Sequence, residues 1–226
     1  MTALTIIVPV LDEAAGIAAC LAPMQPMRAR GAQVVVVDGG SRDATRALAA
    51  PWADAVIESP RGRARQMNAG AERARGDVLL FVHADTILPA DADLALERGL
   101  AAGASWGRFD VSIASPDPLL RLVAAMMNAR SRITGIATGD QAIFVRRGEF
   151  HSAGAFATIP LMEDIALCKR LKRASRPACL RERVITSGRR WERHGTLRTI
   201  FLMWRLRMAY ALGADPVRLA RQYDGN

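Results

Sequence analysis

Residues 76–85, GDVLLFVHAD, constrain the fold of this chain more than any other stretch. The five consecutive apolar residues 78–82 are typical of a strand that is buried on both faces of a parallel sheet. The polar residues His83, Ala84 and Asp85 follow at once, where such a strand leaves the sheet. Because open α/β sheets bind ligands at the carboxyl ends of their strands, we ask which other strand ends converge on Asp85.

A second apolar run, residues 4–8, begins the chain and predicts the first strand. Pro9 is expected to end this strand, and Glu13 lies at the start of an Ala-rich helix that runs to about residue 30. The Gly-rich turn of a dinucleotide-binding fold does not follow the strand. In isolation, Pro9 and Glu13 fit an ordinary helix entry with an acidic first turn.

A third apolar run, residues 34–37, carries Asp38 at its carboxyl end and two glycines directly after it. A carboxylate at this position can accept hydrogen bonds from the ring N–H groups of a base, and the glycines allow a tight turn beneath a ligand. The same residues also fit a purely structural alternative. In that alternative Ser41 caps the next helix and Asp43 lies in its first turn.

A short predicted strand at residues 55–58 leads to a basic helix that begins after Gly62. Arg65 and Asn68 lie on a side of this helix next to its apolar face. Free backbone N–H groups and the helix dipole favour anions at such a helix start, so it is a candidate pyrophosphate site. A solvated basic helix is the alternative.

The middle of the chain predicts a helix at residues 91–102, an edge or crossing strand at 105–113 and a helix from about residue 116. On the last of these helices we expect one buried apolar stripe, which consists of Leu119, Leu122, Val123 and Met126. A glycine-punctuated loop, GIATGD, then precedes a strand at residues 141–145.

An acidic pair, Glu163 and Asp164, stands where the next helix begins. Its Ile165, Cys168 and Leu171 are expected to face the protein interior. As an isolated signal the pair is an ordinary acidic helix start.

Five motifs in this order resemble family-2 glycosyltransferases of the GT-A fold: IVPVLDE, VVDGGSRD, GRARQMNAGAERARGDVLLFVHAD, GDQAIFVRR with MED, and SGRRWERHG. More closely, the chain resembles the small bacterial subgroup of radical-SAM/selenodomain-associated transferases. The resemblance implies an α/β fold with a Rossmann-like mixed, mainly parallel sheet, flanking helices and a C-terminal helical extension. We expect one domain, 1–226, with a nucleotide-binding half at 1–103, an acceptor half at 104–195 and the extension at 196–226.

This resemblance implies an inverting, hexosyltransferase-type enzyme that moves one sugar from a nucleotide diphosphate donor, with UDP favoured, to an unknown acceptor. The residues expected to contact the nucleotide are Pro9, Val10, Glu13, Asp38, Ser41, Arg65, Asn68, His83 and Ala84. Those expected near the donor sugar, the acceptor or the diphosphate are Gly139, Asp140, Arg189, Arg190 and Trp191.

In similar enzymes the last acid of a DxD-type motif binds a divalent cation that bridges the donor phosphates, and Asp85 has that position here. His83 stands where the first acid would be, so this motif supplies one carboxylate. Mg²⁺ is held by one or two carboxylates together with phosphates and water, whereas a His ligand would favour Mn²⁺. We favour the alternative that His83 hydrogen-bonds ribose or a neighbouring strand, and ligation by His194 stays open.

The resemblance also implies that Asp164 is the general base and that Glu163 positions the donor or acceptor. A sugar hydroxyl is a weak nucleophile until its proton is removed, which is why such a base is needed. Processive relatives carry a longer Gln-x-x-Arg-Trp motif, of which only Arg190 and Trp191 stand here. Transfer of a single sugar is therefore expected.

Residues 197–212 form an apolar run that three arginines interrupt, and the run is shorter than the roughly 20 apolar residues needed to span a bilayer. A packing helix is the first interpretation, while peripheral membrane contact through 197–212 and a homodimer stay open. Membrane contact would favour a polyprenyl-phosphate acceptor, which is already ionised and depends less on a base. The amino terminus shows no export signal, so a cytoplasmic location is predicted, with attachment to the inner membrane face left open.

Two other classes of protein remain as alternatives. The missing first acid at His83 fits a protein that binds nucleotide sugars without catalysis. The net charge of +9 fits a nucleic-acid-binding protein, but only 5% of the residues are aromatic and no recognition motif is present. We therefore expect no nucleic-acid partner.

Overall fold

A computed structural model of the protein describes residues 3–224. Its strands are β1 Leu4–Val10, β2 Gln33–Asp38, β3 Ala55–Glu58, β4 Val78–Phe81, β5 Thr86–Ile87, β6 Trp106–Ala114, β7 Ile143–Arg146 and β8 Ala178–Ser187. Its α-helices are α1 Ile17–Leu21, α2 Gln25–Ala29, α3 Thr45–Ala49, α4 Arg63–Glu72, α5 Ala92–Ala101, α6 Pro118–Thr134, α7 Arg147–Ser152, α8 Glu163–Ala174, α9 Arg189–His194, α10 Thr196–Ala211 and α11 Pro216–Asp224. Short 3₁₀ turns occupy Ala22–Met24, Ala50–Trp52 and Gly139–Gln141.

The strands form one mixed sheet in the order β3-β2-β1-β4-β7-β6-β8-β5. Strands β1 to β4 pair in parallel, whereas β7 is antiparallel to both of its neighbours, β4 and β6. Strand β6 pairs in parallel with β8, and β5 is antiparallel to β8. The predicted mixed, mainly parallel α/β sheet with helices around it is confirmed.

The hydrophobic core lies on both faces of the sheet, because neighbouring residues of a strand point to opposite faces. On β1, Ile6 packs in one apolar cluster and Ile7 in the other, and both are fully buried. Helix α4 approaches β1 very closely at Gly70, where a Cβ atom would lie 2.4 Å from Cγ2 of Ile7. This close packing holds the amino end of α4 beside the carboxyl end of β1.

Pro9 does not end the first strand, contrary to the expectation from sequence. It pairs with Val37 inside β1, which continues to Val10. The Val10 carbonyl accepts a hydrogen bond from the Gly39 N–H on the side of β2. Because backbone groups of successive strand residues point to opposite sides, the nitrogen of Pro9 faces β4. The pairing of β1 with β4 ends at Ile7. Pro9 lies beyond that point, so the N–H that it lacks is not needed for the pairing of these two strands.

The long helix predicted after Glu13 is broken into α1, a 3₁₀ turn and α2. Pro23 and Pro26 each lie in the first turn of a new segment, because neither can donate the backbone hydrogen bond that would continue the preceding one. The stripe predicted on α6 is also wrong in part. Val123 is buried, whereas Leu122 is 56% exposed and Met126 is 47% exposed.

The elements absent from the sequence prediction include β5 and the first half of β8. Helix α11 lies within the predicted C-terminal helical extension. Within residues 3–224, no helix is both long and apolar enough to cross a bilayer.

Candidate active site

A cleft of about 480 Å³ opens where β1 and β4 end and where α4 and α8 begin. The opposite wall comes from α9, α10 and α11. Most of the predicted site residues line it: Pro9, Val10, Glu13, His83, Ala84, Asp85, Gly139, Asp140, Glu163, Asp164, Arg190 and Trp191. Residues that are far apart in the sequence therefore face one space.

The carboxylate of Asp38 organises the turn that follows β2. It is 1% exposed and accepts hydrogen bonds from the backbone N–H groups of Gly40 at 3.1 Å and Ser41 at 3.0 Å. The Ser41 hydroxyl donates to the same carboxylate and accepts from the N–H of Asp12 at 2.9 Å. Asp38 and Ser41 thus hold the turn against the loop after β1, outside the lining of the cleft. Ser41 is no helix cap, since α3 begins at Thr45.

Gln66 of α4 lines the cleft and was not predicted as a site residue. Its amide is 4% exposed and donates to the carbonyl oxygens of Val10 and Val37, at 2.8 Å each. One side chain thereby joins the carboxyl ends of β1 and β2. No local pattern marks such a role, because both acceptors are more than 25 residues away.

The start of α4 brings positive charge to the cleft through Arg61 and Arg63. Nη1 of Arg63 lies 3.7 Å from Oε1 of Glu163, the first residue of α8. The predicted residues of this helix lie elsewhere: Arg65 is exposed to solvent, and neither Arg65 nor Asn68 lines the cleft. Asn68 instead donates to and accepts from the backbone of Phe156, at 2.9 and 3.0 Å.

His83 and Gly139 are in direct contact across the cleft floor. A Cβ atom on Gly139 would lie 2.2 Å from Cε1 and Nε2 of the His83 ring, so only glycine fits here without moving the ring. Nδ1 of His83 lies 3.3 Å from Oδ1 of Asp140. Burial opposes ionisation of Asp140, yet the contact with His83 and the nearby charge of Arg63 lower its pKa.

Asp164 is tied to this group through Gly139, whose backbone N–H donates to Oδ2 of Asp164 at 3.0 Å. The other carboxylate oxygen accepts from the N–H of Ile165 at 2.7 Å. Burial and the adjacent charge of Glu163 raise the pKa of Asp164 to about 6, although the two hydrogen bonds act to lower it. An acid with this pKa can take and release a proton near neutral pH, as a general base must.

Asp85 lies on the β4 side of the cleft and is half-buried. Oγ1 of Thr86 lies 3.5 Å from its carboxylate, at the limit of a hydrogen bond. The backbone is fixed by the N–H of Ser187, which donates to the carbonyl of Asp85 at 3.1 Å. The backbone of Asp85 is therefore tied to β8 beside the cleft.

The far wall adds further arginines. The guanidinium of Arg190 stacks over the Tyr223 ring, 3.5 Å from its centroid, and donates to the Tyr223 carbonyl at 2.6 Å. Arg207 of α10 also lines the cleft and was not predicted. Among the described residues, the buried Nε atoms of Arg190 and Arg207 have no hydrogen-bond partner. Arg190 and Arg207 bring positive charge to this wall, which favours an anionic ligand there.

The remaining predicted residue, Arg189, lies at the rim outside the lining. Its Nη2 lies 3.4 Å from Oε2 of Glu13, a residue of the cleft. His194, which the sequence left open as a metal ligand, lies outside the lining as well.

The model of the family described as Glycosyl transferase family 2 matches residues 5–144 of the chain. The match contains Asp85 and Gly139 but ends before Glu163, Asp164 and the far wall. No curated protein matches the chain significantly.

Several solved structures share the fold. S. aureus TarS 1–349 in complex with UDP is 17% identical, with a TM-score of 0.68 over 82% of this chain and 60% of that chain. A mannosyltransferase from Pyrobaculum calidifontis in complex with GDP-Man and Mn²⁺ is 22% identical, with a TM-score of 0.65 over 92% and 61%. Glucosyl-3-phosphoglycerate synthase from Mycobacterium tuberculosis, in complex with Mn²⁺, UDP and glucosyl-3-phosphoglycerate, is 16% identical, with a TM-score of 0.61 over 82% and 71%.

These likenesses confirm the GT-A fold that was expected from sequence. The chain spans about three fifths of the length of TarS 1–349 and of the mannosyltransferase.

Proposed function

The chain belongs to glycosyl transferase family 2, and we propose that its cleft transfers one sugar from a nucleotide diphosphate donor to an acceptor hydroxyl with inversion at the anomeric carbon. The observation that carries the proposal is the convergence of Asp85, the His83–Asp140 pair and the Glu163–Asp164 pair on one cleft. Membership of the finer radical-SAM/selenodomain-associated subgroup stays a prediction.

The donor would lie between the ends of β1 and β4 and the start of α4. Arg61, Arg63 and the free N–H groups of the helix start favour the diphosphate, as a helix N-terminus favours anions generally. Pro9, Val10 and Glu13 would contact the nucleoside. UDP is the first candidate, supported by the UDP complexes of TarS and of the synthase, and GDP is the second, supported by the GDP-Man complex.

Asp85 is the residue of this cleft that would hold a divalent cation. Within residues 3–224, no three His, Cys, Asp or Glu side chains form a group that could hold a metal ion by themselves. A cation held by Asp85 would therefore take its other oxygens from phosphates and water, which suits Mg²⁺ or Mn²⁺. When bound, it supplies positive charge to the leaving diphosphate.

Asp164 would act as the general base and Glu163 would position the reactants. The acceptor oxygen forms its bond to the anomeric carbon on the face opposite the diphosphate, the bond to the diphosphate breaks, and the acceptor proton passes to Asp164. Glu163 is 3% exposed and lies 3.7 Å from Arg63, so its carboxylate is close to the donor side. In this proposal the half at 1–103 binds the nucleotide, the half at 104–195 faces the acceptor, and helices α10 and α11 of the 196–226 extension close the cleft.

One specific observation favours a second candidate, transfer to a polyprenyl phosphate. Arg190 and Arg207 lie at the wall opposite the donor side, where their positive charge could attract an acceptor phosphate. Such an acceptor needs no proton removed, so the two candidates differ in their dependence on Asp164.

Calorimetric titration of UDP and GDP, each with and without Mn²⁺, tests the nucleotide site. We expect metal-dependent binding of one nucleotide that Gly139→Ala weakens, since the new methyl group must displace His83. Overpacking of this kind costs about 1 to 3 kcal/mol of folding stability, so circular dichroism must show the variant folded before the affinities are compared. Gly148→Ala is the matched control, because a Cβ atom there meets nothing within 4 Å. Absence of nucleotide binding by the unmodified protein would contradict the proposal.

The pH profile of kcat/KM tests the pairing of Glu163 with Asp164. A base must be unprotonated, so the rate is expected to rise as the pH passes about 6 and then to level off. Burial and the charge of Glu163 both raise the pKa of Asp164, so Glu163→Gln should move the acidic limb to lower pH. A limb that stays in place or moves upward in this variant would exclude Asp164 as the group that titrates.

A further inference from the structure

Helix α10 has apolar side chains on two opposite sides. One side packs inward through Thr199, Leu202 and Leu206, which are buried. The other presents a stripe to solvent, and its exposed fractions are Leu197 62%, Phe201 70%, Trp204 59%, Met208 65% and Leu212 84%. These residues recur at intervals of four, three, four and four positions, which places the first four along one line of the helix surface, and Leu212 directly follows the last residue of the helix. We call this line the α10 stripe.

The α10 stripe differs from ordinary apolar exposure. Single exposed apolar side chains are common on soluble proteins, but contiguous sets that include Trp and Phe mark surfaces that contact something. The inner side of α10 already supplies the contacts that hold the helix to the protein. The stripe adds nothing to that packing, so folding alone does not account for it.

Charge indicates what the stripe contacts. Residues 195–213 contain three arginines and no Asp or Glu. Exposed Arg198 and Arg205 border the stripe, where long arginine side chains can reach outward while the apolar residues point down. A second copy of α10 packed on the stripe would bring these like charges together across the interface. Anionic headgroups at a bilayer surface would instead pair with them.

The aromatic residues point to the same partner. Trp and Phe are favoured at the boundary between headgroups and acyl chains. Since no described helix is long and apolar enough to span a bilayer, α10 would lie along the surface rather than cross it. We propose that the α10 stripe docks this protein on an anionic bilayer, with its apolar side chains in the boundary region and Arg198 and Arg205 among the headgroups.

Docking would also orient the cleft. Thr199, Met203 and Arg207 of α10 line the cleft, so one helix forms both its wall and the bilayer contact. If the proposed transferase activity holds, an acceptor carried in the membrane would meet the arginine-bearing wall. The docking proposal itself does not depend on that activity.

Co-sedimentation of the purified protein with vesicles tests the proposal. We expect binding to an equal mixture of phosphatidylcholine and phosphatidylglycerol, weaker binding at high salt, and little binding to phosphatidylcholine alone. The double variant Phe201→Ser/Trp204→Ser should bind at least about tenfold more weakly, because it removes two large apolar contacts. The matched control Leu48→Ser/Leu94→Ser changes exposed apolar residues on α3 and α5 and should bind normally.

Three results would overturn the proposal. The first is no binding of the unmodified protein to the mixed vesicles, and the second is equal binding to both kinds of vesicle. The third is a double variant that binds as well as the control while circular dichroism shows both folded. Analytical ultracentrifugation covers the alternative: a dimer that Phe201→Ser/Trp204→Ser dissociates would assign the stripe to self-association and overturn bilayer docking.

Discussion

Asp164→Asn is expected to lower kcat about 100- to 10,000-fold and to leave nucleotide binding nearly unchanged. The amide has the size of the carboxylate but cannot take a proton from the acceptor at neutral pH. One of its two carboxylate acceptor atoms becomes a donor, so either Gly139 or Ile165 loses its hydrogen-bond acceptor. That loss affects local stability, whereas the proposed loss of the base affects the chemical step.

The measurement is single-turnover transfer beside calorimetric nucleotide binding, which separates chemistry from affinity. Asp91→Asn is the matched control, since Asp91 also stands at a helix start but is exposed and lies outside the cleft. Near-normal transfer by Asp164→Asn would remove Asp164 as the base and favour an acceptor that is already ionised. Loss of transfer together with nucleotide binding would mean that Asp164 serves the donor site instead.

Asp85→Ala is expected to abolish the effect of Mn²⁺ on nucleotide binding. Asp85 is the one carboxylate of the HAD run, and in this proposal it is the protein's ligand to the cation. Residues that only orient a metal ligand are worth about 10- to 100-fold in metal affinity, so loss of the ligand itself should cost at least about 100-fold. The backbone at position 85 should keep its place in Asp85→Ala, because the Ser187 N–H donates to the carbonyl of residue 85 rather than to its side chain.

The test compares UDP affinity with and without Mn²⁺ in Asp85→Ala and in Asp77→Ala. Asp77 is a matched control, since it precedes the same strand at its other end and its side chain is 70% exposed. We expect Asp77→Ala to retain the effect of Mn²⁺. If Asp85→Ala retains it too, another group holds the cation and the proposed role of Asp85 is wrong.

The residues at the carboxyl ends of β1 and β4 could be predicted from sequence because continuous apolar runs of about five residues are typical of strands buried on both faces of a sheet. Polar residues that follow such runs emerge at one edge of the sheet, which is how Asp85 and Glu13 came to be expected at one site. The start of α8 could also be predicted from nearby residues, since Asp164 precedes a helical pattern that buries Ile165, Cys168 and Leu171. The roles given to these acids came from the family resemblance.

Contacts between distant segments could not be read in this way. Gln66 binds the carbonyls of two strands, and Gly139 lies against the His83 ring while donating to Asp164. Each contact depends on how separate elements pack, and no periodicity along the chain records that. Arg65 and Asn68 were expected near the ligand, but the rotation of α4 turns Arg65 to solvent and Asn68 to Phe156.

The helices α6 and α10 show most clearly what could not be predicted from the sequence. Both carry apolar residues on more than one side, so their patterns predict helices without specifying which side is buried. The sequence by itself determined the apolar strands β1 to β4, their order along the chain and the acids that follow them, because these depend on local hydrophobicity. Only the tertiary structure decided which side chains share the cleft and which face of α10 is left exposed, because burial of a face depends on the partner that packs against it.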